Sequence, residues 1–214
     1  KSASAYVDKL SAMSVPEPFR SQVMTSGHAA AHYLLERFPQ GRGYLLGNDV
    51  LRAELTGMGL VFTEDDPDYV LVAFDTTLDY AKMCKVCDFI RDGKPYIATH
   101  PDFNCPTETG FIPDSGAIAA AVTASTGATP TYFGKPYRET VEMISEITGV
   151  AREDMCIFGD RLYTDIATGK KHGITAVLVL SGETKQADVD AAQPEERPDM
   201  IFGDLGDVDA LMFG

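Results

Sequence analysis

Short apolar runs alternate with amphipathic segments of about ten residues along most of this chain, and that alternation admits few folds. The run YVLVAF at 69–74 is the most apolar, and a helical pattern over 80–91 follows it, stopped at Gly93. The same reading predicts strands at 22–25, 43–46, 95–99, 131–133, 155–158, 175–180 and 199–202. Helices are predicted at 29–38, 50–56, 115–126, 139–148 and 165–171. Strands and helices in this order build βαβ units around a parallel sheet, so the expected class is α/β and doubly wound. Residues 43–130 read as a second α/β domain inserted into a core made of 1–42 and 131–214, with no Ser/Gly linker at either border.

Composition narrows the partners. Of 214 residues, 44% are hydrophobic and 23% charged, which excludes a disordered chain. A net charge of −14 opposes nucleic-acid phosphates and anionic lipid alike, so neither nucleic acid nor membrane is expected as a partner. The apolar runs fall far short of the roughly 20 residues that span a bilayer. Four cysteines are too few for a disulfide scaffold, and a reducing cytoplasm is expected.

The most informative stretch is Met155 to Asp165, MCIFGDRLYTD. An apolar strand ends at Gly159, a residue that permits close approach, and Asp160 then stands at the strand's carboxyl end, where open α/β sheets bind ligands. Thr164 is placed to cap the next helix, with Asp165 in its first turn. An acid at a helix start is ordinary. Two carboxylates at one crevice, however, repel unless a cation or donor lies between them, and hard oxygen ligands at a sheet edge suit Mg²⁺. Gly134-Lys135-Pro136 follows a predicted strand and opens a helix. A lysine there faces the positive end of the helix dipole, at a cost of up to about 1 kcal/mol, and calls for an anion such as Asp160 or a phosphate.

Other patterns carry less. Gly127 to Gly134 encloses six residues where a phosphate-binding P-loop needs four, and Pro136 stands where its hydroxyl residue should be. Cys84 and Cys87 form a CxxC pair inside a helical pattern, which suits buried thiols better than redox chemistry. His28 and His32 stand four apart without the Glu of a zincin. His100 and Asp102 open a long loop, 103–115, of the kind that often serves function.

Taken together, Gly134-Lys135-Pro136 and Gly159-Asp160-Arg161-Leu162-Tyr163-Thr164-Asp165-Ile166 resemble the haloacid dehalogenase superfamily of phosphohydrolases, in its NagD/p-nitrophenylphosphatase-like branch with a C2-type cap. The stretches 44–47, 98–102, 116–118 and 178–182 agree with it. The resemblance implies an HAD-like Rossmannoid core with the middle domain as cap, and a Mg²⁺-dependent phosphatase acting on a small phosphorylated metabolite through an aspartyl-phosphate. It implies that Lys135 holds the phosphoryl group, that Asp160 ligates Mg²⁺, and that Asp165 binds the metal or orders its water. The loop carrying His100 and Asp102 would choose the leaving group. The family's usual Asn in that loop is His100 here.

Family members begin with an Asp-x-Asp-Gly-Thr strand, which supplies nucleophile and general acid/base, and then a strand ending in a phosphate-holding Ser/Thr. Lys1 aligns just after the second. The chain opens without Met and in the rhythm of an amphipathic helix, with Tyr6, Val7 and Leu10 on one side. It therefore reads as part of a longer polypeptide with the nucleophile upstream of Lys1. The rival reading is a non-catalytic protein that binds phosphate or Mg²⁺ and has lost its nucleophile. A receiver-like domain leaves the middle insertion without a role. Subunits could also pair through the cap, along a sheet edge at 69–74.

Overall fold

The structure, a computed structural model, describes residues 3–17, 22–107 and 109–213. They fall into two compact units, Lys1–Gly134 and Lys135–Gly214.

The first unit runs α1 (Ala3–Ala12), α2 (Ser26–Arg37), β1 (Arg42–Leu46), α3 (Asp49–Gly57), β2 (Val61–Phe62), β3 (Tyr69–Val72), α4 (Tyr80–Arg91) and β4 (Tyr96–Ala98). It continues with β5 (Asn104–Thr107), β6 (Gly110–Pro113), α5 (Ser115–Thr126) and β7 (Thr131–Tyr132). Its parallel sheet has the order β2-β1-β3-β4-β7, and β5 and β6 form a separate antiparallel ribbon. Every residue of β3 is buried, as a central parallel strand with both faces covered requires. Tyr44, Leu46, Val70, Val72 and Ala98 pack with Val86, Ile90, Ile118 and Val122 of α4 and α5 on one face. Helix starts are fixed by side chains that accept a backbone N–H: Thr25 from His28, Asn48 from Leu51, Asp79 from Lys82 and Asp114 from Ser115.

The second unit runs α6 (Arg138–Thr148), β8 (Cys156–Gly159), a π-helical turn (Leu162–Ile166) continuing into α7 (Ala167–His172), β9 (Thr175–Val179), α8 (Gln186–Ala191), β10 (Met200–Phe202) and α9 (Leu205–Phe213). Its parallel sheet has the order β10-β9-β8. Ile166, Ala176, Leu178 and Val189 form its core, with Ile157, Leu162 and Leu180 against them. Register sets Gly159 beside Leu178, so β8 ends level with the last residues of β9. No helix among the described residues is long and apolar enough to cross a membrane.

Several expectations are corrected. Residues 22–25 form no strand; they lead into the Thr25 cap. The loop expected over 103–115 holds the β5–β6 ribbon. The strand at 69–74 offers no edge to a second subunit, because β3 is bonded to β1 and β4 on its two sides. The expected borders at 42/43 and 130/131 do not coincide with the observed division. Residues 26–42 lie in the first unit, and β7 completes the sheet there by pairing with β4.

Candidate active site

At the carboxyl end of β8 the chain turns through Asp160 and Arg161 into the π-helical turn, and this turn brings Asp165 back over the strand. Asp165 is 3% exposed. Its Oδ2 accepts the Arg161 N–H (3.2 Å), and its Oδ1 accepts from Lys135 Nζ at 2.5 Å. The anion that a lysine before a helix calls for is therefore Asp165. Thr164 does not cap the helix, since the helical stretch begins two residues earlier and buries it; its carbonyl accepts from Thr168 Oγ1.

Asp160 is held from β9's side. Its Oδ2 accepts the Glu183 N–H (2.8 Å), and its backbone carbonyl accepts the Thr184 N–H (3.0 Å). Glu183 in turn binds Arg161 Nε (2.8 Å) and the Tyr163 hydroxyl (3.0 Å). The 182–184 turn is thus part of the site. The sequence signalled only Gly182, because the contacts of Glu183 depend on the register of β8 against β9.

Two glycines make room for these acids. A β-carbon on Gly159 would collide with Asp165 Cγ, and one on Gly182 with Asp160 Oδ2. Gly159 does permit close approach, and the group it admits is the Asp165 side chain.

Asp160 and Asp165 match what Mg²⁺ takes from a protein, one or two hard carboxylates with water and phosphate completing the shell. Asp160 Oδ1 carries no hydrogen bond among the described residues, so one carboxylate oxygen is available to ligate a cation. A group of three or more His, Cys, Asp or Glu able to hold a metal is absent among the described residues.

His100 and Asp102 lie in the first unit, at the end of β4. Both imidazole nitrogens of His100 are engaged: Nε2 with Asp114 Oδ1 (2.8 Å), Nδ1 with Thr99 Oγ1 (2.9 Å) and Ser26 Oγ (3.3 Å). Burial pushes the Asp114 carboxyl up, but the bond and charge of His100 and the Ser115 N–H outweigh it and hold the group below 3.8. The Asp102 carboxylate carries no hydrogen bond among the described residues. In α4, Cys87 is buried and Cys84 exposed, both as free thiols.

A family model described as HAD-hydrolase-like matches residues 132–208. An acid sugar phosphatase of Staphylococcus epidermidis is 34% identical over 185 residues, covering 86% of this chain and 71% of that protein. A dihydroxyacetone phosphatase of Corynebacterium glutamicum is 30% identical over 200 residues, covering 94% of this chain and 71% of that protein. The crystal structure of a 4-nitrophenylphosphatase from Thermotoga maritima is 44% identical, with a TM-score of 0.89, over 97% of this chain and 79% of that one.

Proposed function

This chain belongs to the HAD-like hydrolase family, and from that premise we propose that it hydrolyses small phosphomonoesters at the carboxyl edge of β8. The observation that carries the reading is the Lys135–Asp165 ion pair on the turn that follows Asp160, an ammonium brought to acids 25 and 30 residues further along the chain. The names of the relatives, an acid sugar phosphatase and a dihydroxyacetone phosphatase among them, favour a small polyol or sugar phosphate as substrate.

The attacking group is an aspartate of a segment preceding Lys1. Its carboxylate oxygen bonds to phosphorus as the ester P–O bond breaks, while the second aspartate of that segment gives its proton to the departing oxygen so that the alcohol leaves; the same carboxylate then takes a proton from the water that opens the aspartyl-phosphate and releases inorganic phosphate. Lys135 offsets charge on the nucleophile and on the transferring oxygens, the dominant need of phosphoryl transfer. Asp160 and Asp165 would hold Mg²⁺, which when bound supplies charge neutralisation at the phosphoryl oxygens. Asp165 also fixes the Lys135 ammonium. Asp102 and the His100 turn are proposed to govern the choice of leaving group: Asp102 through its carboxylate, His100 by holding the backbone there.

Phosphate release from p-nitrophenyl phosphate and a panel of triose, polyol and hexose phosphates, measured on the full-length gene product with Mg²⁺ and with EDTA, tests this. Turnover with Mg²⁺ that EDTA abolishes is expected. No release by a folded product, together with codons upstream of Lys1 that encode no Asp-x-Asp-Gly-Thr, overturns it in favour of a non-catalytic phosphate- or Mg²⁺-binding protein.

A further inference from the structure

We propose that His172 is a positioning residue for Lys135, acting through the backbone carbonyl of Pro136. The geometry stands on its own; the kinetic consequence rests on the phosphatase reading above.

Lys135 lies in the connection between β7 and α6, and its side chain is about half exposed (49%). A long, exposed side chain of four rotatable bonds does not hold one position unless the backbone beneath it is anchored. Pro136 brings no N–H to that task. Its carbonyl, however, accepts from His172 Nε2 at 2.8 Å. A carbonyl can only accept, so Nε2 carries the proton, and the contact fixes the imidazole tautomer.

The helical stretch from Leu162 to His172 explains why the same element supplies both grips. Asp165 and His172 are seven residues apart on it, roughly 10 Å along the axis, and each reaches the Lys135-Pro136 turn. Asp165 takes the ammonium of residue 135, and His172 takes the main chain of residue 136. Side chain and backbone of the Lys-Pro turn are thereby fixed to one rigid body, which also carries the second acid of the site. A histidine in the last turn of a helix can also act simply as a cation against the dipole, a role that changes stability and not turnover.

The two roles separate in His172→Gln, His172→Asn and His172→Ala variants of the full-length protein. Gln places an amide nitrogen as many bonds from Cα as Nε2, and neutral; Asn falls one bond short. Loss of one anchoring hydrogen bond next to a catalytic ammonium is expected to lower kcat about tenfold in the Asn and Ala variants. KM should stay within about twofold, and Gln should restore kcat to within about twofold of the parent. A second readout needs no catalysis: amine acetylation mapped by mass spectrometry should label Lys135 faster in the Asn and Ala variants, with Lys170 and Lys171 unchanged. If His172→Asn labels and turns over like the parent, or Gln behaves like Asn, the assignment is overturned. Should Ala fail to fold, the Gln and Asn pair decides. A parent without phosphatase activity refutes the function proposed above, and the labelling still decides the role of His172.

Discussion

Asp165 folds its carboxylate into the space that a side chain at Gly159 would need, so the last residue of β8 is a glycine because of an acid six positions later. The relationship repeats at Gly182, where a β-carbon would strike Asp160. Each acid is seated against a glycine and tied by a backbone N–H, Arg161 to Asp165 and Glu183 to Asp160. The two seats fix the carboxylates before any ligand arrives, which is the preorganisation that charge stabilisation in a transition state requires.

Substituting either seat should therefore displace its acid. Gly159→Ala is expected to lower stability by about 1–3 kcal/mol through overpacking and to disturb the Lys135 contact as well. A β-carbon at Gly182 meets Asp160 first, so Gly182→Ala should raise the Mg²⁺ concentration needed for half-maximal activity while the melting temperature moves less. Thermal unfolding and a Mg²⁺ titration of turnover check the pair, and equal Mg²⁺ requirements in Gly182→Ala and parent would contradict the role given to Asp160.

Lys135→Ala removes a half-exposed ammonium but leaves Asp165, whose side chain is 5% exposed, with only the Arg161 N–H among the described residues, so the fold should persist at a cost of about 1–3 kcal/mol. Turnover should fall by about 10²–10³, the usual loss for one charge-stabilising group. Lys135→Arg should recover little of it, since a planar guanidinium cannot reproduce a point charge on Asp165 Oδ1. Steady-state kinetics with circular dichroism as the fold control measure both. Unchanged kcat/KM in Lys135→Ala would end the assignment.

Asp75, just after β3, supplies a pH prediction. Its side chain is fully buried and accepts from Thr77 N–H (2.8 Å), Thr77 Oγ1 (2.6 Å) and Lys82 Nζ (2.9 Å). Burial pushes the carboxyl up, but these bonds outweigh it and leave the group below 3.8. A carboxyl depressed on folding is protonated more readily in the unfolded chain. Its stabilisation is thus complete above about pH 4 and is lost as pH falls through the folded value. Asp75→Asn should cost about 2 kcal/mol at neutral pH and flatten the acid side of a stability profile below about pH 4. Urea unfolding across that range reads it.

Strands and helices were legible where each has one strong local signal: the apolar run 69–74 and the Ala-rich stretch at 115–126 in the first unit, and the strand ending in Gly159-Asp160 in the second. The β5–β6 ribbon was not. Asn104, Pro106 and Thr107 give no apolar alternation, both strands are largely exposed, and Pro106 and Pro113 argue against a ladder. Residues 22–25 mislead in the opposite sense, since Val23 and Met24 look like a strand while Thr25 is already capping α2. Within the site, residue types were readable and pairings were not. That Asp165 takes Lys135, and that His172 reaches Pro136, follows from a π-helical turn whose extra residue sets the facing of everything after it. The Glu183 contacts need the β8–β9 register, a long-range fact that no window of sequence contains.

His100 and Asp102 separate into different roles, and stability against specificity distinguishes them. His100 ties the end of β4 to the starts of α2 and α5 through Ser26 and Asp114, and its side chain is only 19% exposed. Removing it leaves the Asp114 carboxylate, 12% exposed, without its imidazole partner, for which about 1–3 kcal/mol is the usual cost. His100→Ala should therefore lower the melting temperature by several degrees, whatever happens to turnover. Asp102 has a carboxylate that bonds to nothing among the described residues, while its backbone carbonyl accepts the Gly116 N–H at 2.8 Å. Asp102→Ala keeps that backbone bond, so the fold should be unaffected. What should change is the ratio of kcat/KM values between a polyol phosphate and p-nitrophenyl phosphate, since only the former offers hydroxyls for a carboxylate to accept from. A hydrogen bond to a charged acceptor is worth about 1.5–3 kcal/mol, or roughly 10- to 150-fold in that ratio. Melting curves and paired substrate kinetics on the two variants check both halves, and a ratio unchanged in Asp102→Ala would remove Asp102 from substrate recognition.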